Sequence, residues 1–167
     1  MSAAPSRLLS AQPLTAQTFA PFGQVIECQG RPSYAINEGS SQRFSDLAQL
    51  EVDAEGRLSL SIFRAEECSS PCALYCLERH PLGSQAFVPL HGQAFWIVVA
   101  PTVGPPAPED LRVFLASGSQ GINFKRGVWH HPLLALTAGD FLVADRLGPG
   151  ENCDVIDIDA WKLGIAR

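Results

Sequence analysis

The stretch Leu58-Ser59-Leu60-Ser61-Ile62 alternates apolar and polar side chains without a break. Successive side chains of an extended chain leave opposite faces, so a period of two marks a half-buried strand rather than a helix. Working outward, residues 73–79, 85–90, 94–100, 111–116, 128–137 and 140–146 read as further strands, the last two divided by the Ala138-Gly139 turn. Gln24-Val25-Ile26-Glu27 reads as a first short strand, and 155–158 as a last edge strand or the entry to the C-terminal tail. Thr15 caps a single helical turn that Pro21 stops. Residues 29–57, rich in Gly, Ser, Arg and Asn, read as loops with one short element near Leu47, and four prolines make 101–110 a surface loop. Short strands at regular spacing, divided by Gly/Pro turns and almost without helix, predict an all-β sandwich or barrel.

A chain of 167 residues, 46% of them apolar, suffices for one domain with a real core, taken here as 1–167. The net charge of −5 gives no electrostatic reason to expect nucleic acid or an anionic membrane as partner. Residues 1–10 carry one Arg and no long apolar run, and the longest apolar run, 94–100, is too short to span a bilayer, so the cytoplasm is the expected compartment. Five cysteines, an odd number, argue against a disulfide framework. Cys68, Cys72 and Cys76 recur every four residues, but Ser69-Ser70-Pro71 interrupts any helix there, and incidental thiols are favoured over a metal site.

Two segments carry chemistry. In Glu78-Arg79-His80-Pro81-Leu82-Gly83-Ser84-Gln85, Glu78 and His80 are two apart and leave one face of a strand. A turn at 81–84 then brings Gln85 back beside them on a returning strand, so three ligand-capable side chains converge. In Gly127-Val128-Trp129-His130-His131-Pro132, His130 begins another strand and supplies a fourth if that strand crosses nearby. These spacings resemble the two cupin motifs, with Glu78, His80, Gln85 and Gly92 in the positions of the first and Gly127 and His130 in those of the second. Glu78 and Gln85 stand where His and Glu are usual, Lys125 where proline is common, and Leu134 in place of an Asn. Nitrogen and oxygen donors of this kind suit one divalent ion such as nickel, zinc or manganese. A metal-free pocket in which the same residues hydrogen-bond a substrate is the equal alternative.

Longer strings are more specific. Leu77-Glu-Arg-His-Pro-Leu-Gly-Ser-Gln-Ala-Phe-Val-Pro-Leu90 and Gln120-Gly-Ile-Asn-Phe-Lys-Arg-Gly-Val-Trp-His-His-Pro-Leu133 resemble the signature stretches of ureidoglycolate lyases. So do Phe141-Leu-Val-Ala-Asp-Arg146, Glu151-Asn-Cys-Asp-Val155, Phe19-Ala-Pro-Phe-Gly-Gln-Val-Ile-Glu27 and Ile36-Asn-Glu-Gly39. The resemblance implies a cupin-like double-stranded β-helix, a homodimer, and elimination of urea from (S)-ureidoglycolate to give glyoxylate in allantoin breakdown. The rivals are an amidohydrolase releasing ammonia, a cupin isomerase or dioxygenase, and a non-catalytic cupin that binds a metabolite.

The elimination needs a carboxylate held, a hydroxyl proton removed and a proton delivered to the departing nitrogen. His80, His130, Glu78 and Lys125 are the catalytic candidates. Arg79 is a second candidate for the carboxylate, although on a regular strand it points away from Glu78 and His80, which makes an outward ion pair equally natural. Gln85 and Asn37 are candidates for the ureido group, with His131 second to its neighbour His130. Asp145, on the face shared by Phe141 and Val143, can orient a histidine or bind the urea amides.

Overall fold

The computed structural model describes residues 4–101 and 103–167; residues 1–3, where the N-terminal segment starts, and Thr102, in the 101–110 loop, lie outside it. The strands, in chain order, are β1 (Arg7–Leu9), β2 (Gln12–Pro13), β3 (Gly23–Ile26), β4 (Tyr34–Ile36), β5 (Ser41–Arg43) and β6 (Arg57–Ala65). Then come β7 (Cys72–Ala73), β8 (Cys76–Arg79), β9 (Gln85–Pro89), β10 (Phe95–Ala100), β11 (Arg112–Ala116) and β12 (Gly121–Phe124). The last are β13 (Trp129–His130), β14 (Leu134–Ala135), β15 (Gly139–Leu147), β16 (Asp154–Asp157) and β17 (Leu163–Ile165). The single α-helix among the described residues is the expected turn, α1 (Ala16–Phe19), whose Thr18 N–H donates to the Thr15 hydroxyl at 3.1 Å. No helix among the described residues is long and apolar enough to cross a membrane.

A seven-stranded sheet runs β16-β8-β13-β10-β11-β2, with β14 also on β10, and a five-stranded sheet runs β3-β12-β9-β15-β6. A small sheet, β1-β17-β7, and the β4-β5 hairpin stand apart from these two in their pairing. Strand β10, Phe95-Trp-Ile-Val-Val-Ala100, explains how the layers stack. Phe95, Ile97 and Val99 enter one core with Phe87, Ile122, Phe141 and Val143 of the five-stranded sheet. Trp96, Val98 and Ala100, on its other face, enter a second core with Leu74, Leu163 and Ile165 around the small sheet. A strand covered on both faces has no polar side to present, hence its unbroken apolar run. The architecture is all-β, two facing sheets around a shared core, as expected.

Several details depart from the sequence reading. The alternating stretch 58–62 is a strand, β6, but its apolar face is the outer one: Leu60 is 70% exposed, Leu58 and Ile62 are exposed beside it, and Ser59 and Ser61 are half-buried. Periodicity reports that two faces differ, not which of them is covered. Residues 128–137 form two strands, β13 and β14, because Pro132 between them has no N–H for a ladder. Residues 73–79 also divide, into β7 of the small sheet and β8 of the large one. The 29–57 segment holds the β4-β5 hairpin rather than an element near Leu47.

The odd cysteine count misled. Cys68 and Cys72 are joined in a disulfide, because the Ser69-Ser70-Pro71 turn brings their Cα atoms to 5.7 Å, within bridging range. Cys28, Cys76 and Cys153 are free.

Candidate metal centre

Strand β8 places Leu77 in the second core, so Glu78 leaves the opposite, inner face. Strand β13 pairs with β8 in a register that sets His130 directly across from Glu78, and Val99 of β10 lies on the other side of His130. His80, two residues after Glu78, returns to the same side. One Glu78 oxygen, Oε1, consequently lies 3.4 Å from His130 Nε2 and 3.7 Å from His80 Nε2. Ligand atoms of Glu78, His80 and His130 all fall within 4.8 Å of one another.

Both imidazoles are fixed from behind. His80 Nδ1 is 2.7 Å from the Asn152 carbonyl and His130 Nδ1 is 2.9 Å from that of Val128, so each donates N–H there and leaves Nε2 as a lone pair. Phe124 of the five-stranded sheet stacks on His130 with ring centroids 4.2 Å apart. The two Nε2 atoms are buried and have no hydrogen-bond partner, although an orphaned buried polar atom costs roughly 1–3 kcal/mol. Two pinned histidines with bare, convergent nitrogens beside a carboxylate are the donor set of a divalent-cation site, with backbone carbonyls setting the tautomers. These residues fit a metal.

Electrostatics agree. The neighbouring imidazoles of His130 and then His80 hold the Glu78 carboxyl far below the usual carboxylate range, against the opposing effect of burial. Burial works against a charged His80, but Glu78, the Asn152 carbonyl and Gln85 outweigh it and raise its pKa. The Cys153 thiol sits 3.9 Å from the other Glu78 oxygen, Oε2. Burial, with Glu78 and Asp154 nearby, pushes that thiol's pKa up, so it stays protonated.

Gln85 reaches the centre by an unexpected route. Strands β8 and β9 are not a hairpin; they belong to different sheets, and residues 80–84 cross between them. The crossing is braced by Leu82 N–H donating to the Asn152 carboxamide at 2.7 Å and by Ser84 N–H to the Glu51 carbonyl at 2.9 Å. Gln85 therefore starts the facing sheet, buried, with its Oε1 unpartnered and its Nε2 donating to Asp145 at 3.5 Å.

The other candidates lie elsewhere. Arg79 points away from the triad: it donates to Asp154 at 2.8 Å and to the Val103 carbonyl at 3.1 Å, and lies over the Trp129 ring at 4.7 Å. Arg79→Ala is accordingly expected to lower the melting temperature while changing KM for substrate less than about 2-fold, the ordinary range away from a site. A KM rise of tenfold or more would assign it to the carboxylate instead. His131 faces the other way from His130: its Nε2 accepts the Tyr75 N–H at 3.3 Å and its Nδ1 faces the Pro132 carbonyl at 2.9 Å. Burial pushes its pKa down to about 4, so it is a neutral structural residue at pH 7. Asn37 is exposed at the tip of the β4-β5 hairpin. Lys125 donates to the Ala20 carbonyl at 2.7 Å, on the wall of a cleft of about 420 Å³ that it shares with Arg79, Arg126, Gly127 and Val128. The sequence reading missed Asn152, Cys153 and Phe124 as neighbours of the triad; only the string 151–155 pointed toward the first two.

Two facing sheets with a two-histidine, one-carboxylate cluster on their inner wall define the class, an all-β protein with a candidate metal centre. The family model for ureidoglycolate lyase matches residues 6–164, and the chain belongs to that family. It is 55% identical over 150 residues to the ureidoglycolate lyase of Azotobacter vinelandii, covering 89% of this chain and 90% of the relative. It is 52% identical to that of Pseudomonas syringae pv. syringae and 51% to that of Stutzerimonas stutzeri, each match covering 89% of this chain and 88% of the relative. Among solved structures, RmlC from Streptococcus suis in complex with dTDP-D-xylose shows a slight likeness, with a TM-score of 0.39 at 11% identity over 89% of this chain and 74% of that one.

Proposed function

We propose that the chain is a ureidoglycolate lyase, a cytoplasmic homodimer that eliminates urea from ureidoglycolate to leave glyoxylate. Family membership across residues 6–164 supports the reaction, and the single observation that ties it to a site is the pair of orphaned Nε2 atoms facing Glu78. His80, His130 and Glu78 hold one divalent ion such as nickel, zinc or manganese, with Gln85 as a fourth oxygen donor. Such an ion, when bound, supplies Lewis acidity that lowers the pKa of the substrate hydroxyl.

The residues of the chain supply the rest. The hydroxyl proton leaves as the carbonyl forms, the C–N pair goes to the ureido nitrogen, and that nitrogen gains a proton, with no water consumed. Glu78 keeps Oε1 toward the histidines, and its Oε2 carries the hydroxyl proton across to the departing ureido nitrogen. Lys125, whose ammonium donates to the Ala20 carbonyl at 2.7 Å, is the candidate for the substrate carboxylate, reaching it from the neighbouring cleft. Phe124 and the buried wall around His130 keep water off that side of the centre, which favours elimination over hydrolysis.

The outer face of β6 supports the dimer. Leu58, Leu60 and Ile62 form an exposed apolar row on a nine-residue edge strand, a surface that a second copy can cover by strand pairing and side-chain contact. Leu60→Asp is expected to shift sedimentation from dimer to monomer without lowering the monomer's stability appreciably. An unchanged sedimentation coefficient would move the interface elsewhere.

The test of the reaction is an end-point analysis on ureidoglycolate. Glyoxylate and urea in equal amounts, without ammonia, is the expected result. Ammonia in place of urea would make the chain an amidohydrolase, and no product with any added divalent ion would leave a binding protein.

A further inference from the structure

The Gln85 side chain ends in two groups of similar shape and opposite chemistry, an oxygen that accepts and an NH2 that donates. Turned one way it offers the centre a donor atom for a cation; turned the other way it offers only N–H groups, which a cation repels. Asp145 decides between them. It lies on β15 beside β9, on the inner face it shares with Val143, and it receives the Gln85 amide at 3.5 Å. A carboxylate only accepts, so it selects the NH2 end and leaves Gln85 Oε1 facing away from it. That oxygen is buried and has no partner, and Gln85 pairs in register with Phe124, whose ring stacks on His130. The atom opposite Asp145 in the adjoining strand belongs to Ser59, a small neutral residue that does not compete for this role.

We propose that Asp145 is a positioning residue that holds the Gln85 carboxamide with its oxygen toward His80, His130 and Glu78, completing a four-donor site for a divalent cation. The inference deepens the lyase reading and rests on it only for its biological meaning. The polar order runs Asp145 carboxylate, Gln85 NH2, Gln85 oxygen, cation. Reversing the polarity of the outer pair while keeping an oxygen inward preserves that order: an Asn at 145 donates to a Glu at 85, whose second oxygen still faces the centre.

The experiment is calorimetric titration of cobalt(II) into the full chain, with the visible spectrum of the bound ion as a second readout. Asp145→Asn is expected to weaken cobalt binding on the order of 10-fold or more, the usual cost of losing a residue that orients a ligand. Gln85→Leu is expected to lose as much, and adding Asp145→Asn to it is expected to cost nothing further, since the residue acts only through Gln85. Asp145→Asn/Gln85→Glu is expected to recover binding and the wild-type spectrum. Should Asp145→Asn alone fold poorly, the double variant and the Gln85→Leu comparison carry the same test. Wild-type affinity in Asp145→Asn, a loss that adds to that of Gln85→Leu, an absence of recovery in the polarity-reversed pair, or no cobalt binding by the wild type would each overturn the proposal. Cobalt binding that behaves as expected in a protein that makes no urea would instead retain Asp145 in its role and remove the lyase reading.

Discussion

Glu78→Gln is expected to lower kcat/KM for ureidoglycolate on the order of 10²- to 10³-fold, the effect of removing one preorganised electrostatic group from a catalytic site. The substitution keeps size and shape. It removes the charge that both His130 and His80 face at 3.4 and 3.7 Å. It also changes the pH dependence of the cation-free protein in a direction fixed by two opposed shifts. Glu78 is lowered from 4.5 in the fold, so its contribution is present above about that value and fades as pH falls. His80 is raised from 6.5, so its contribution is complete below about that value and is lost as pH rises through the folded pKa. Both are present together between 4.5 and 6.5. The melting temperature of the wild type relative to Glu78→Gln should peak in that window and decline on either side. A difference that is flat with pH would mean that the carboxylate and the histidines do not interact in solution. Added cation reverses the trend at higher pH, because it competes with protons for the same nitrogens.

Phe141→Ala is expected to destabilise the fold by about 3–5 kcal/mol, a large part of the roughly 5–15 kcal/mol that holds a domain together. Phe141 is fully buried between the two large sheets, and its ring meets that of Phe95 edge-on with centroids 5.3 Å apart. Interiors do not collapse freely around a lost ring. The loss should appear as a lower urea midpoint. A change under about 1 kcal/mol would mean that the sheets close over the gap. Activity per folded molecule should survive better than stability, because Phe141 lies on the inner face of β15 four residues before Asp145 and touches the centre only through the packing of the sheet.

The sequence was informative where the chemistry is local. Glu78 and His80 share a face because a strand repeats every two residues, and that spacing can be read directly. His130 was also legible: Gly127, at φ +73, makes the left-handed turn that a side chain resists, and its N–H bonds the His80 carbonyl at 2.9 Å. What could not be read was which sheet a strand joins. Gln85 was expected across a hairpin from His80 and stands on the facing sheet, because residues 80–84 make a crossing that no residue type announces. Nor could the sequence say which face of β6 is covered; its leucines face outward. Strand β12 is not among the strands read from the sequence; its Asn123 is buried, with its NH2 on Gln24 at 2.8 Å and the Gln49 carbonyl at 2.9 Å. Its NH2 is satisfied by partners 99 and 74 residues away, which local propensity does not see. His131 and His130 differ by one residue and so by a whole face of the sheet. The disulfide was hidden by arithmetic, since an odd count is compatible with one bridge.

On the proposed mechanism, urea elimination depends on an ion held by Glu78, His80 and His130. The most direct test is to strip the protein with a chelator and titrate nickel back while following glyoxylate release, in the wild type and in Glu78→Gln side by side. Activity that returns in the wild type, saturating near one ion per chain and failing to return in Glu78→Gln, is the predicted result. Full turnover by the stripped wild type, unaffected by nickel, would contradict it.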